Sequence, residues 1–320
     1  MSAAAGAGLA FDIALCALVL VAALAAVAGR DLFGSLVSFI VYGLLVALAW
    51  VRLEAIDVAL AEAAIGAGLT GVLLVGTAAR LARLDAAEPA PAPRLAKALA
   101  GVGAAAVATA IALAVLALEP GREGLAPLVA REIGVTGVEN PVTAVLLVFR
   151  GYDTLMESIV LLAALVGVWA ASADEAWGGR PGLRLHARPR GVLATFGRLL
   201  PPVGIVIGLY VVHVGAYAPG GAFQGGTILA AVYLLAAMAG IVEPPSVSRM
   251  GVRVALAIGP AIFLAMGIVG AFAGTFLFYP VDWAGTLVLA IEAALTASIA
   301  ASLALLVLGP PARPLPGSAR

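Results

Sequence analysis

Long apolar runs, each near the length that crosses a bilayer, alternate along the chain with short clusters of charged residues, Gly and Pro. A hydrocarbon core of ~30 Å takes about 20 helical residues at ~1.5 Å rise each. On that measure the pattern predicts nine spans, at about residues 8–28, 32–51, 56–79, 96–118, 154–173, 199–218, 222–242, 252–278 and 284–308. Backbone groups in hydrocarbon must bond internally, so each span is a helix. Runs such as Leu15 to Val27 lack the alternation of barrel strands. The prediction is an all-α, polytopic membrane helix bundle. Asn140 to Phe149 is apolar but too short to cross, and reads as a surface or partly inserted helix.

The breaks between spans suggest four parts. Gly29-Arg30-Asp31 and Arg52-Leu53-Glu54 separate the first three spans, and the Pro/Ala stretch 85–93 cannot continue a helix. The expected division is residues 1–93 with three spans, 94–175 with two spans and the short helix, a cytoplasmic linker 176–198, and 199–320 with four spans. The first run has no basic lead and holds Asp12, so it is expected to be a retained helix rather than a cleaved signal.

Composition agrees. Hydrophobic residues make up 63% of the chain, charged residues 11%, and the mean hydropathy is +1.12; soluble domains run at about 45–50% and about 25%. No loop is large enough for a soluble domain, so a cytosolic catalytic site is not expected. Zero formal net charge offers nothing to nucleic acid. One cysteine, Cys16, cannot supply a four-thiolate cluster, and His186 and His213 are the two histidines, so no cofactor is expected. With the N-terminus outside and the C-terminus inside, fourteen of the eighteen Lys and Arg fall on the inner side. The outer loop 119–140 is instead acidic, with Glu119, Glu123, Glu132 and Glu139.

Ionisable groups within spans each need a reason, at roughly +2.5–3.5 kcal/mol on insertion scales. Asp57, Glu62, Glu157, His213 and Glu292 are the candidates for an ion pathway, with Asp12 a weaker sixth. In the predicted orientation the first four lie in the outer half and Glu292 near the midplane. Asp57, Glu62 and Glu292 could hold a cation transiently, and no resident metal is expected. For Asp57 and Asp12 the competing account is an interfacial acid satisfied by water. Asp57 and Glu62 lie about 140° apart on an ideal helix and would share a face only through an intervening π-bulge. Gly66, Gly68 and Gly71 follow them and are accounted for by small-residue packing. Thr154 and Glu157 fit a capping box. Pro219, Gly220, Gly221, Gln224, Gly225 and Gly226 mark a hairpin between the sixth and seventh spans.

Three of these regions resemble one group of families. Ala55-Ile-Asp-Val-Ala-Leu-Ala-Glu-Ala-Ala-Ile-Gly66 resembles a segment of the MbhD-type module, also found in the C-terminal region of the large Mrp antiporter subunit. Asn140-Pro-Val-Thr-Ala-Val-Leu-Leu-Val-Phe-Arg-Gly-Tyr-Asp-Thr154, with Glu157, is similar to the adjoining MbhE-type module. Pro219-Gly-Gly-Ala-Phe-Gln-Gly-Gly226 is similar to the hairpin of the MrpB/MnhB (MbhF) family. In this order they span roughly residues 10–310.

The resemblance implies a subunit of a multisubunit Na+/H+ antiporter of the plasma membrane, beside large antiporter-like partners and small MrpC-, MrpF- and MrpG-like ones. The alternative it implies is an energy-conserving arm of a redox-driven complex related to membrane-bound hydrogenase or complex I. Likeness to the NuoJ-type subunit of complex I also implies a π-bulge. Ile56, Ala61, Val148 and Ala222 depart from the family residues Pro, Thr, Asp and Gly. Ala216 stands where a His is frequent, and His213, one turn earlier, is the expected substitute. A third account makes the chain a scaffold whose acids pair only at subunit contacts.

Overall fold

The computed structural model describes residues 3–29, 31–83, 93–118, 124–182 and 191–313. His186, Glu119, Glu123, Arg122, most of the Pro/Ala stretch and most of the arginines of the linker lie outside them. The described chain is an all-α membrane bundle of α1 (Ala3–Ala28), α2 (Leu32–Arg52), α3 (Ile56–Ala61), α4 (Thr70–Arg83), α5 (Arg94–Leu116), α6 (Ala126–Glu132), α7 (Pro141–Ala144), α8 (Gly151–Ala170), α9 (Val192–Val214), α10 (Ala222–Met238), α11 (Met250–Ala273) and α12 (Ala284–Leu308). A π-helix, Glu62–Leu69, joins α3 to α4, and a second, Val145–Phe149, continues α7.

Eight of the predicted spans are helices long and apolar enough to cross a membrane. The one expected at 222–242 is α10, only 17 residues. The chain before it is loop, and Gly215, Ala216, Gly220 and Gly221 are buried. Non-helical backbone at membrane depth is tolerated where protein covers it. After α10, Gly240 at φ +71° turns the chain toward Glu243-Pro244-Pro245. α9 begins at Val192, seven residues before the expected span and inside the charged stretch read as linker. Its early turns tolerate the exposed Arg198, a long side chain whose charged tip can reach water.

α12 is the central helix, with 61% of its apolar window buried, against none of α5. It packs on α10, α11 and α8. Ile291, Leu295 and Ile299 meet Phe263 and Val288 in the main core. Small polar residues let α11 approach: the Ser298 hydroxyl donates to Ala255 O at 3.0 Å and accepts from Gly259 N–H at 2.8 Å. The hydroxyl is thus inserted between two groups that an uninterrupted helix would bond to each other, just before Pro260.

On the other side, α1 and α2 form a hairpin, and α2 packs on the first π-helix. Gly71 packs against Ile40, where a Cβ would come within 2.7 Å of the Ile side chain. At the inner end of the predicted orientation, Arg180–Pro181 (β1) pairs antiparallel with Pro311–Arg313 (β2). Ser172 Oγ donates to Pro311 O at 2.7 Å and Arg180 pairs with Glu243.

Candidate functional site

The three marked regions converge at one end of the bundle, around the loop between α9 and α10. Thr143 Oγ1 donates to Gly215 O at 2.6 Å. The backbone N–H groups of Glu139 and Asn140 donate to Ala216 O at 2.8 and 3.0 Å. Asn140 Nδ2 donates to Ala218 O at 3.0 Å, while its Oδ1 caps α7 by accepting from Val142 N–H at 2.9 Å. From α3, Asp57 Oδ1 accepts from Gly220 N–H at 2.9 Å, and the Asp57 carbonyl accepts from Gln224 Nε2 at 3.3 Å. The glycines are needed where backbones touch. A Cβ on Gly215 would stand 2.6 Å from Gly221, and Gly221, at φ +127° and ψ −172°, occupies a region essentially closed to other residues.

Below the loop lies a cavity of about 350 Å³. Asp57 and Ala61 line it from α3, Thr143 from α7, Thr154 and Glu157 from α8, Gln224 from α10 and Glu292 from α12. The rest of its wall is apolar or backbone. Glu292 is 2% exposed, and its Oε2 has no hydrogen-bond partner among the described residues. The other oxygen is close enough to Gly221 that a Cβ there would stand 3.3 Å from it. Asp57 is 8% exposed and has one oxygen engaged by the loop. Glu157 is exposed at the rim. The Thr143 and Thr154 hydroxyls give their protons to Gly215 O and Leu146 O, which leaves lone pairs available to a cation. Carboxylates, hydroxyls and a carboxamide are the hard oxygen donors that replace water around a small cation, and the carboxylates can equally carry protons. Among the described residues no three His, Cys, Asp or Glu side chains cluster as metal ligands.

The cavity thus gathers Asp57, Glu157 and Glu292 of the predicted pathway residues, together with Gly220, Gly221 and Gln224 of the hairpin. Glu62 and His213 do not line it. Glu62 opens the first π-helix and folds back over Gly66, where an added Cβ would meet its Oε1 at 2.3 Å. Gly66 therefore makes room for a carboxylate rather than for a neighbouring helix. The π-helix begins at Glu62 and does not lie between Asp57 and Glu62, so the two acids are not turned onto one face. His213 is exposed on α9 and meets the ring of Tyr217 edge-on, with centroids 6.1 Å apart.

Thr154 and Glu157 do not form a capping box. α8 starts at Gly151, so Thr154 is inside the helix, and its hydroxyl reaches back to Leu146 O at 2.7 Å. The preceding π-helix makes this possible by bringing that carbonyl within reach; the sequence carried no signal for it. Asn140–Phe149 is half embedded, with Ala144 and Leu147 buried in the main core. Asp12 is held by Arg52 in a two-pronged pair at 2.7 and 3.1 Å, which explains its charge without any ion. Arg150 and Asp153 form an ion pair at the start of α8.

Residues 17–83 match the MbhD family of MBH subunits, and residues 192–309 match a domain related to the MnhB subunit of Na+/H+ antiporter. Asn140, Thr143 and Glu157 lie between the two matched regions. A chain of the Mrp complex from Dietzia sp. DQ12-45-1b is similar over 93% of this chain and 35% of its own length, at 27% identity and a TM-score of 0.71. A chain of the membrane-bound sulfane sulfur reductase, an archaeal respiratory membrane complex, is similar over 67% of this chain and 97% of its own, at 25% identity and a TM-score of 0.55. An uncharacterized protein of Methanocaldococcus jannaschii is 28% identical over 157 residues, which is 44% of this chain and 60% of that protein. The chain therefore spans about a third of the Mrp-complex chain and less than two thirds of the Methanocaldococcus jannaschii protein.

Proposed function

We propose that this chain, in which an MbhD-type module is fused to an MnhB-type domain, is an ion-translocating membrane subunit of a multisubunit Na+/H+ antiporter. One observation carries the reading: the buried Glu292 carboxylate faces a cavity shared with Asp57 and Glu157, with one oxygen unpartnered among the described residues. A carboxylate in that position needs a proton or a cation as its counterpart. Glu157 at the rim is the entry, Asp57 and Glu292 the inner stations. Asp57 offers its second oxygen to the ion while the first holds the loop, so occupancy at Asp57 is felt by the hairpin. Residues 94–175 act as the MbhE-type module that supplies Thr143, Thr154 and Glu157. Large antiporter-like subunits and small MrpC-, MrpF- and MrpG-like ones complete the pathway in the plasma membrane.

Likeness to a respiratory-complex chain over 67% of this sequence supports a second reading, an energy-conserving arm of a redox-driven complex. With Cys16 as its one cysteine, the chain would leave the redox groups to its partners.

The test is Glu292→Gln in the assembled complex, with Na+-induced collapse of the pH gradient followed in everted vesicles. Replacing the ionisable group at equal size is expected to lower transport at least tenfold, on the order of the 1.4 kcal/mol that a tenfold effect requires, while the complex still assembles. Undiminished transport would remove the site. Oxidoreductase subunits co-purifying with the complex would favour the second reading.

A further inference from the structure

We infer that a groove at the opposite end of the bundle from the cavity binds one anionic phospholipid. α10, α11 and α12 leave between them an open groove of about 410 Å³. Its walls are hydrocarbon from Leu229, Val252 and Leu305, over a floor of Ala301 and Ala304. The short alanine side chains keep that volume open.

The mouth has the opposite character. Arg249, the N-cap residue of α11, stands at the groove with an exposed side chain that makes no ion pair or hydrogen bond among the described residues. At the start of α11 the N–H groups of Arg249 and Val252 are bonded to Ser246 O and Arg249 O, which leaves those of Met250 and Gly251 as the donors of the first turn, and Gly251 lines the groove with open space before its Cα. Tyr233, in the wall, has a buried hydroxyl with no partner among the described residues.

Charge decides the occupant. A phosphodiester suits a free guanidinium at a helix N-terminus, and an acyl chain suits the hydrocarbon groove behind it. No Asp or Glu lines the groove, so nothing there receives the ammonium of a zwitterionic headgroup. Glu243, which follows α10 in the chain, is already paired with Arg180. In the predicted orientation this end faces the inner leaflet, where anionic lipids attract basic residues.

The experiment is native mass spectrometry of the full chain in detergent, titrated with palmitoyl-oleoyl phosphatidylglycerol and with phosphatidylcholine of the same chains. The wild type is expected to retain one phosphatidylglycerol in preference to phosphatidylcholine. Arg249→Gln, an exposed change outside the core, should cut that preference about tenfold, the share of one charge-assisted hydrogen bond. Ala301→Phe, which fills the floor, should lose both lipids. Equal retention of the two lipids by the wild type, or an unchanged preference in Arg249→Gln, overturns the proposal. A chain that retains neither lipid also overturns it and leaves the groove to a helix of a partner subunit.

Discussion

Gly220 N–H donates to Asp57 Oδ1 at 2.9 Å, across 163 residues of sequence, and the bond is buried. It ties the α3 segment to the hairpin. Asp57→Asn keeps an oxygen for this N–H and should fold normally in thermal-shift or gel-filtration assays while losing transport. Asp57→Ala leaves a buried donor unsatisfied and should be less stable by about 1–3 kcal/mol. Equal stability of the two variants would falsify the structural part of this assignment.

Gly221→Ala is expected to be damaging for two separate reasons. Its φ of +127° with ψ −172° is a conformation that costs other residues about 1–3 kcal/mol. The new methyl would also stand 3.3 Å from Glu292 Oε1 and press on the carboxylate. Thermal unfolding and transport should both suffer.

Thr143 distinguishes shape from hydrogen bonding. Thr143→Val keeps the shape but leaves Gly215 O without its donor, and should lower stability by about 1–3 kcal/mol. Thr143→Ser keeps the hydroxyl and should recover most of that loss. A calorimetric comparison of the two reads the bond directly.

His213→Ala should leave ion flux unchanged, since the ring is exposed against Tyr217 and outside the cavity. Glu62→Gln gives a contrast, because Glu62 is in a separate environment over Gly66. Should transport fall with Glu62→Gln alone, a second ion position on that face is required; should it fall with His213→Ala, the cavity is not the entrance.

The membrane-crossing helices were legible because length and apolar composition are local properties, and α1, α2, α11 and α12 lie where their runs predict. α10 is shorter than its apolar run because the run is continued by Gly240 and Ile241, which turn rather than extend the helix. The acids Asp57, Glu157 and Glu292 stood out by their burial cost. Their association did not, since it depends on hydrogen bonds that residues 57, 140 and 143 share with one loop. The two π-helices were legible only in part. Widening by one residue per turn leaves no hydrophobic signature, and Gly66, which read as packing, marks the turn where Glu62 folds back. Thr154 illustrates the same limit: its spacing to Glu157 fits a cap, yet the upstream π-helix offers its hydroxyl another acceptor.

Helix α5 buries none of its apolar window and has no substantial packing contact within the described bundle. What it provides is parity. Between Asp57 and Asn140 the polypeptide traverses the bilayer twice, once along α3 and α4 and once along α5. Remove α5 and that tally becomes odd, which sends Asn140, Thr143 and the loop at Gly220 to the opposite face from Asp57. A helix that touches almost nothing can thus be as indispensable as the one at the centre, because it sets which end of every later segment meets which.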